Sequence, residues 1–480
     1  MNNKPAAPFS ARPLGSLLSA TQRAMTEWLH LAMNQTVRLA VTGLNQSGKT
    51  VFITALVHQL LHARQEAGLP FFDCVSSNRF AGAKLMMQPD VDVSSFRYDQ
   101  FIRPLTEQHP RWPTRTEELS EIRLAIRFQP GGFLHRQISD ASTLYLDIID
   151  YPGEWLLDLP MLELSFADWS AQIFQLCATE PRAALSAAWR ALLESLPMDG
   201  KADEGVLRQA SALYTEFLLR CKNEYGLSLL QPGRFTVPGE LRGTPLLTFC
   251  PLPAPPAEHT GPESVYGIMA QRFDAYKERV IHRFYKEHFS RFDRQIVLID
   301  LLKALNRGPE NFSDMRIALE SILQNFRYGT SGMVHRLLWP RIDKLLFVAT
   351  KVDHVAANQH GNLERLLNRI VSKPANEAIF QGVEVKTLAL SSVTCTRTVV
   401  QEHEGRRLSF VQGIPKGRDQ EILLFPGEIP ESLPRAEDWD ANRFRFMEFE
   451  PPRLLDPEAT ALPHIRLDQA LQFLLGDKLS

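Results

Sequence analysis

Between residues 17 and 33 the apolar positions Leu18, Met25, Trp28, Leu29 and Ala32 fall at helical spacing, with Thr21, Arg23, Glu27 and His30 between them, and predict an amphipathic helix. Its polar side is poor in Lys and Arg, so packing on the adjacent domain is the favoured use and a membrane or partner contact the alternative. TVRLAV at 36–41 is short, partly β-branched and followed by glycine, as a buried strand entering a loop would be; helical periodicity resumes over 52–61. STLYLDII at 142–149 predicts a second strand, with IRLAIRF at 122–128 as its antiparallel neighbour. QIVLI (295–299), KLLFVAT (344–350) and VKTLALS (385–391) predict three more. Residues 156–293 instead carry helical patterns at 182–196, 206–223 and 267–289, interrupted by a proline-rich loop at 251–256. Beyond 392 come short strand-like runs at 407–411 and 421–425, several prolines and a closing amphipathic helix at 467–475, which predicts a part that covers an edge of the sheet. Strands alternating with helices imply an α/β fold: a mostly parallel sheet with helices on both faces.

Composition narrows the class without naming a chemistry. The chain has 480 residues, 44% hydrophobic and 22% charged, enough for a large core and against wholesale disorder. Lys plus Arg (53) nearly cancel Asp plus Glu (55), so no global field draws the chain to nucleic acid or anionic lipid. The basic, aromatic stretch 267–294 is offset by Asp274, Glu278, Glu287 and Asp293; its aromatics fall on a helical stripe, so it reads as a packed helix and no nucleic-acid partner is expected. Cys74, Cys177, Cys221, Cys250 and Cys395 are scattered and form no C-x-x-C pair, as befits reduced thiols in a cytoplasmic protein. With no N-terminal apolar leader and no run of the roughly 20 residues that a span needs, the expectation is a soluble protein without a transmembrane segment. Peripheral attachment to the inner membrane through a partner stays open.

Chemistry enters at Gly43-Leu44-Asn45-Gln46-Ser47-Gly48-Lys49-Thr50, a full G-x4-G-K-S/T motif set between a strand and a helix. Glycines let main-chain N–H groups close around a β-phosphate, and the helix N-terminus at Thr50 and Val51 adds a favourable dipole. Lys49 would neutralise β- and γ-phosphate oxygens, and the Thr50 hydroxyl would ligate Mg²⁺. Asp150-Tyr151-Pro152-Gly153 ends a strand and reads as D-x-x-G, with Asp150 on the Mg²⁺ side and the Gly153 N–H at the γ-phosphate. Glu154 stands where many such proteins carry a water-orienting glutamine, and a carboxylate there would repel the phosphate unless paired or protonated. Thr350-Lys351-Val352-Asp353 matches the T/N-K-x-D element that selects guanine: the Asp353 carboxylate can accept from the ring N–H and the amino group, and the Lys351 stem can pack along base and ribose. Ser391 and Ser392 follow the last strand, as a loop whose N–H meets guanine O6 or as a plain turn. Thr114 or Thr116 could complete the Mg²⁺ shell; Arg111 and Arg115 beside them could act as an arginine finger in cis or be solvated loop residues.

These motifs predict a P-loop NTPase core, split into 36–155 and 294–400, with an N-terminal helix in 1–35, a helical insertion at 156–293 and a C-terminal extension at 401–480 packed on the core. GLNQSGKT, DYPGEW, WPTRT, RQIVLIDLLKALN and TKVDH together resemble the bacterial YcjX family of stress-associated P-loop proteins. That resemblance covers most of the chain and implies GTP and GDP binding, a Ras-like core with family-specific helical elements and association with stress responses. The expected activity is slow, Mg²⁺-dependent GTP hydrolysis driving a switch, with an unidentified protein effector or membrane-associated partner. Two rivals remain: an ATPase or small-molecule kinase using the same loop, and a non-hydrolysing scaffold.

Overall fold

The computed structural model describes residues 35–480 apart from 45, 65–67, 115–117, 132–140, 255–260, 325–341, 404–405, 442 and 454–460. The amphipathic stretch at 17–33, Asn45, Arg115 and Thr116 therefore lie outside the described residues.

Strands β1 (Gln35–Gly43), β2 (Phe80–Met86), β3 (Ser94–Ser95), β4 (Ser120–Phe128), β5 (Ser142–Asp150), β6 (Arg294–Ile299), β7 (Lys344–Ala349) and β8 (Glu384–Ala389) form one sheet. Its order is β2-β4-β5-β1-β6-β7-β8, with β3 beside β4. From β5 through β1 to β8 every neighbouring pair is parallel, while β4 runs antiparallel to β5, and β2 to β4. This mostly parallel, helix-covered sheet is the expected Ras-like P-loop architecture. β2 escapes sequence reading because its Ala-Gly-Ala core has little strand propensity; pairing with β4 holds it, across a register shift between Phe80 and Gly82.

Both faces of the central strands are buried, and the period of two shows in which cluster each side chain joins. Val37, Leu39 and Val41 of β1, with Ile296, Leu298, Leu346 and Val348, meet helix α1 (Lys49–His62) on one face. Ala40, Val297, Ile299, Leu345 and Phe347 point to the other. That second face is covered by the chain between β5 and β6 and by a helix over His360–Phe380. Consecutive strands leave β1 in opposite directions, to β5 on one side and β6 on the other. The carboxyl ends Gly43, Asp150, Ile299, Ala349 and Ala389 share one edge, the switch point at which such sheets bind ligands.

The segment joining β5 to β6 is helical but more broken than its periodicity predicts. The 182–196 pattern is two short helices, Arg182–Leu185 and Ala187–Glu194. Helix α2 (Glu204–Arg220) widens into a π turn at Cys221–Tyr225, and α3 (Val265–Tyr276) into another at Lys277–His282. Trp169, Trp189, Tyr214, Phe249 and Phe273 are fully buried here, and the aromatic stripe Phe273, Tyr276, Phe284 and Phe289 faces inward. After β8, β9 (Thr396–His403), β10 (Arg406–Gly413) and β11 (Ile422–Leu424) make a small antiparallel sheet. The closing helix α4 (Leu467–Leu475) corrects the expectation of an edge cover: Leu467, Leu471 and Leu474 join the face shared with α1, and buried Arg294 pairs with Asp477 just beyond it at 2.5 Å. Among the described residues no helix is long and apolar enough to cross a membrane.

Candidate functional site

The loop after β1 is built for close main-chain approach. Gly48 adopts φ 86°, a left-handed conformation that other residues reach at a cost, and no side chain caps the N-terminus of α1 behind it. The helix dipole and its first N–H groups thus face a cleft of about 310 Å³, the size of a small-molecule site, with Gln46, Ser47, Thr50 and Val51 on its wall. The Ser47 hydroxyl is buried without a hydrogen-bond partner among the described residues. Gln46 is held from behind by an ammonium, its Oε1 accepting from Lys303. Burial drives the Lys303 amine down to about 8, although Asp300 pulls the other way.

The D-x-x-G segment lies directly against this loop. Val41 of β1 is in register with Asp150 of β5, and a Cβ on Gly153 would come within 2.2 Å of the Gly43 carbonyl oxygen, so only glycine fits. Lys49 Nζ donates to the Tyr151 carbonyl at 3.0 Å and stands 3.9 Å from the Asp150 carboxylate. Asp150 is 2% exposed, so a hard oxygen donor is buried beside the phosphate loop. With the Thr50 hydroxyl on the cleft wall, this is an oxygen set that suits Mg²⁺. Glu154 opens a 3₁₀ stretch, Gly153–Glu163, and Oε1 is 2.7 Å from Lys222 Nζ, which projects from the π turn after α2. Burial penalises the Glu154 charge, but the Lys222 ammonium, followed by Lys49, outweighs it and holds the carboxyl below its ordinary range. Further along, the buried Asp158 accepts from Gly233 N at 2.6 Å and Tyr276 Oη at 2.6 Å, clamping the stretch to the helices.

At the other end of the cleft, Lys351 adopts φ 59° and its ammonium lies 2.7 Å from Asp300 Oδ2 and 3.6 Å from Glu448 Oε1. Asp353 is 4% exposed. Its Oδ2 accepts from Cys395 N at 2.8 Å and Sγ at 3.1 Å, while Oδ1 has no hydrogen-bond partner among the described residues. Ser391 donates its N–H to the Ile465 carbonyl and its hydroxyl to Val393 O, and Ser392 stands beside it on the cleft wall. Thr114 is exposed next to Trp112 and Pro113, which do line the cleft. Arg111 is exposed and reaches Glu107 at 3.4 Å.

Sequence reasoning missed Lys222 beside Glu154 and, at the Asp353 end, Trp112, Phe449, Glu448, Lys416 and Cys395. Trp112 Nε1 donates to the Phe449 carbonyl at 2.8 Å, Phe449 packs edge-on against His354, and Lys416 and Lys351 share Glu448, whose carboxyl stays at about 2: burial opposes its charge, but these lysines outweigh it. The chain beyond 400 thus walls the Asp353 end of the cleft, and nothing local in that stretch signals it. At Cys395 burial, then the Asp353 charge, pushes the thiol well up, so it serves as a donor and not as a thiolate. Ligand atoms of Asp353, His354 and Cys395 lie within 4.8 Å of one another, close enough to gather a metal ion, but Asp353 Oδ2 already accepts from Cys395.

Known proteins resemble this chain over nearly its whole length. The chain matches the YcjX-like family, DUF463, over residues 37–479. It is 44% identical over 453 residues to the Ras-like GTPase YcjX of Escherichia coli, covering 92% of this chain and 96% of that protein. It is 40% identical over 481 residues to the Ras-like GTPase YcjX of Shewanella oneidensis, covering 97% and 99%. With the P-loop, D-x-x-G and T-K-x-D segments meeting at one sheet edge, this chain belongs to the YcjX-like family.

Proposed function

We propose that the protein binds GTP and GDP, hydrolyses GTP slowly with Mg²⁺, and acts as a nucleotide-controlled switch in a stress response, the role that the family resemblance suggests. One observation carries the guanine assignment: the buried, unpartnered Oδ1 of Asp353 in the same cleft as the phosphate loop. Guanine offers a ring N–H and an amino group on one edge, and adenine offers no such pair, so a fixed carboxylate discriminates between them. The Lys351 stem lies along base and ribose, Trp112 and Phe449 close over them, and, with the Ser391 N–H donated to Ile465 O, contact with guanine O6 falls to Ser392. At the other end Gly43, Asn45, Gln46, Ser47 and Gly48 wrap the β-phosphate and Lys49 neutralises the oxygens toward the γ-phosphate. Thr50 and Asp150 would hold Mg²⁺, with Thr114 or Thr116 completing its shell; the ion, when bound, offsets charge on the phosphates. Gly153 and Glu154 face the γ-phosphate, and Arg115 is a candidate for transition-state charge.

The names of the two relatives support the same class. Titration with fluorescent GDP and ADP tests it directly: preference for GDP by about 100-fold or more is expected, and equal affinity would favour an ATPase or kinase. The segment between β5 and β6 follows the γ-phosphate sensor directly and would be the surface on which an effector reads the bound nucleotide. Hydrogen exchange there that is identical with GDP and a GTP analogue would remove that role.

A further inference from the structure

Taking that hydrolytic reading as its base, we propose that Lys222 is a built-in positioning residue, which holds Glu154 as the acceptor for the attacking water and offsets its repulsion from the γ-phosphate. Three observations carry this. Lys222 and Glu154 both line the phosphate cleft, and they meet at 2.7 Å with side chains only 10% and 11% exposed. In the sensor segment Glu154 directly follows Gly153, which lies against Gly43 of the phosphate loop, so its side chain is held on the cleft wall beside that loop. Lys222 sits on the π turn Cys221–Tyr225, a rare widening that is frequent at functional sites. The cations facing Glu154 are Lys222, from the β5–β6 segment, and Lys49, from α1; Lys49 is itself committed to Tyr151 O and Asp150.

A neutral glutamine can orient water without charge, whereas a lone carboxylate next to a polyphosphate cannot stay ionised cheaply. An ion pair resolves this: the net charge is zero, yet a strong acceptor remains. In the step, the water oxygen bonds to the γ-phosphorus as the bridging P–O bond breaks and its electron pair leaves on GDP. The water proton passes through the Glu154 carboxylate to a phosphate oxygen, giving GDP and dihydrogen phosphate.

The test is single-turnover and steady-state phosphate release from Mg·GTP between about pH 5 and 9, with fluorescent-GDP affinity measured beside it. Lys222→Ala should lower kcat about tenfold or more with KM and GDP affinity within about threefold, and should move the acid limb of the profile upward as Glu154 loses its partner. Lys222→Arg should restore most of the rate and the original limb. Because both residues act as one unit, Glu154→Gln with Lys222→Ala should be no slower than Lys222→Ala alone; this neutral pair also guards against misfolding of the single variant. A Lys222→Ala enzyme with unchanged rate and pH profile, or losses that multiply in the double variant, would overturn the proposal alone. Tight GDP binding with no turnover by the unaltered protein would overturn it and the hydrolytic reading, leaving guanine binding intact; no binding of either nucleotide would overturn all three.

Discussion

The two ends of the cleft handle negative charge in opposite ways. At the phosphate end the acceptor groups are faced by cations: Lys49 stands between Tyr151 O and Asp150, and Lys222 neutralises Glu154. At the base end Asp353 is held by two neutral donors, the N–H and thiol of Cys395, while the nearby Lys351 is drawn off to Asp300 and Glu448. Point charges attract any polyphosphate with little regard for what it carries. A carboxylate fixed by directed hydrogen bonds has one free oxygen and one direction, so it selects. Affinity is thus expected to reside at the first end and specificity at the second.

The largest effect should come from breaking the first end. Lys49→Ala leaves the phosphates without their main cation, and GDP affinity should fall about 100-fold or more, equally for guanine and xanthine nucleotides. Fluorescent-nucleotide titration reads this; a selective loss would contradict the division of labour. Next comes Asp353→Asn. The amide oxygen stays with the two Cys395 donors, which turns an NH2 donor toward the guanine amino group in place of the free Oδ1, so GDP affinity should also fall about 100-fold or more. Xanthine carries an oxygen at that position, and xanthosine diphosphate should bind better to the variant than to the original protein. Failure of that exchange would mean Asp353 does not touch the base. A smaller change sharpens the picture: Cys395→Val removes the thiol donor but keeps the N–H, and should weaken GDP binding by about three- to tenfold, while Cys395→Ser retains a donor and stays near the original value. Equal losses in both would point to packing instead of orientation.

Much of the phosphate end could be read from the chain because it is built from consecutive residues. A strand, a glycine loop and a helix in direct succession leave few geometries open, and D-x-x-G follows a strand whose alternation is plain. The parallel core was legible for the same reason: Ile296, Val297, Leu298 and Ile299 are apolar on both faces, as a doubly covered strand must be. What stayed hidden depends on contacts between distant segments. Lys222 lies 68 positions after Glu154, and Phe449 reaches back to Trp112 across 337. Neither carries a local pattern, since a lone lysine in a helix or a phenylalanine before prolines is ordinary composition. The ends of α2 and α3 were obscured differently, because π turns preserve apolar periodicity while shifting its phase.

A third carboxylate, outside the cleft, tests the idea from the opposite direction, since its Oε2 is buried without a hydrogen-bond partner among the described residues. Glu121 on β4 is 4% exposed; Arg123 is committed to Asp147 at 2.5 Å, and Arg38 lies 3.9 Å from the same carboxylate. Burial, then the Asp147 charge, pushes the Glu121 carboxyl up to about 7. A carboxyl raised by folding favours the protonated native state, so its contribution is fully present below the ordinary carboxylate range and lost as pH rises through about 7. Glu121→Gln keeps the shape without the charge and should therefore stabilise the fold little at pH 5 but by on the order of 1 to 3 kcal/mol at pH 8. Urea midpoints at the two pH values measure it. An equal shift at both would show that Glu121 is already compensated, and that burial without a cation or a pair of directed donors is less costly here than the contrast between Glu154 and Asp353 requires.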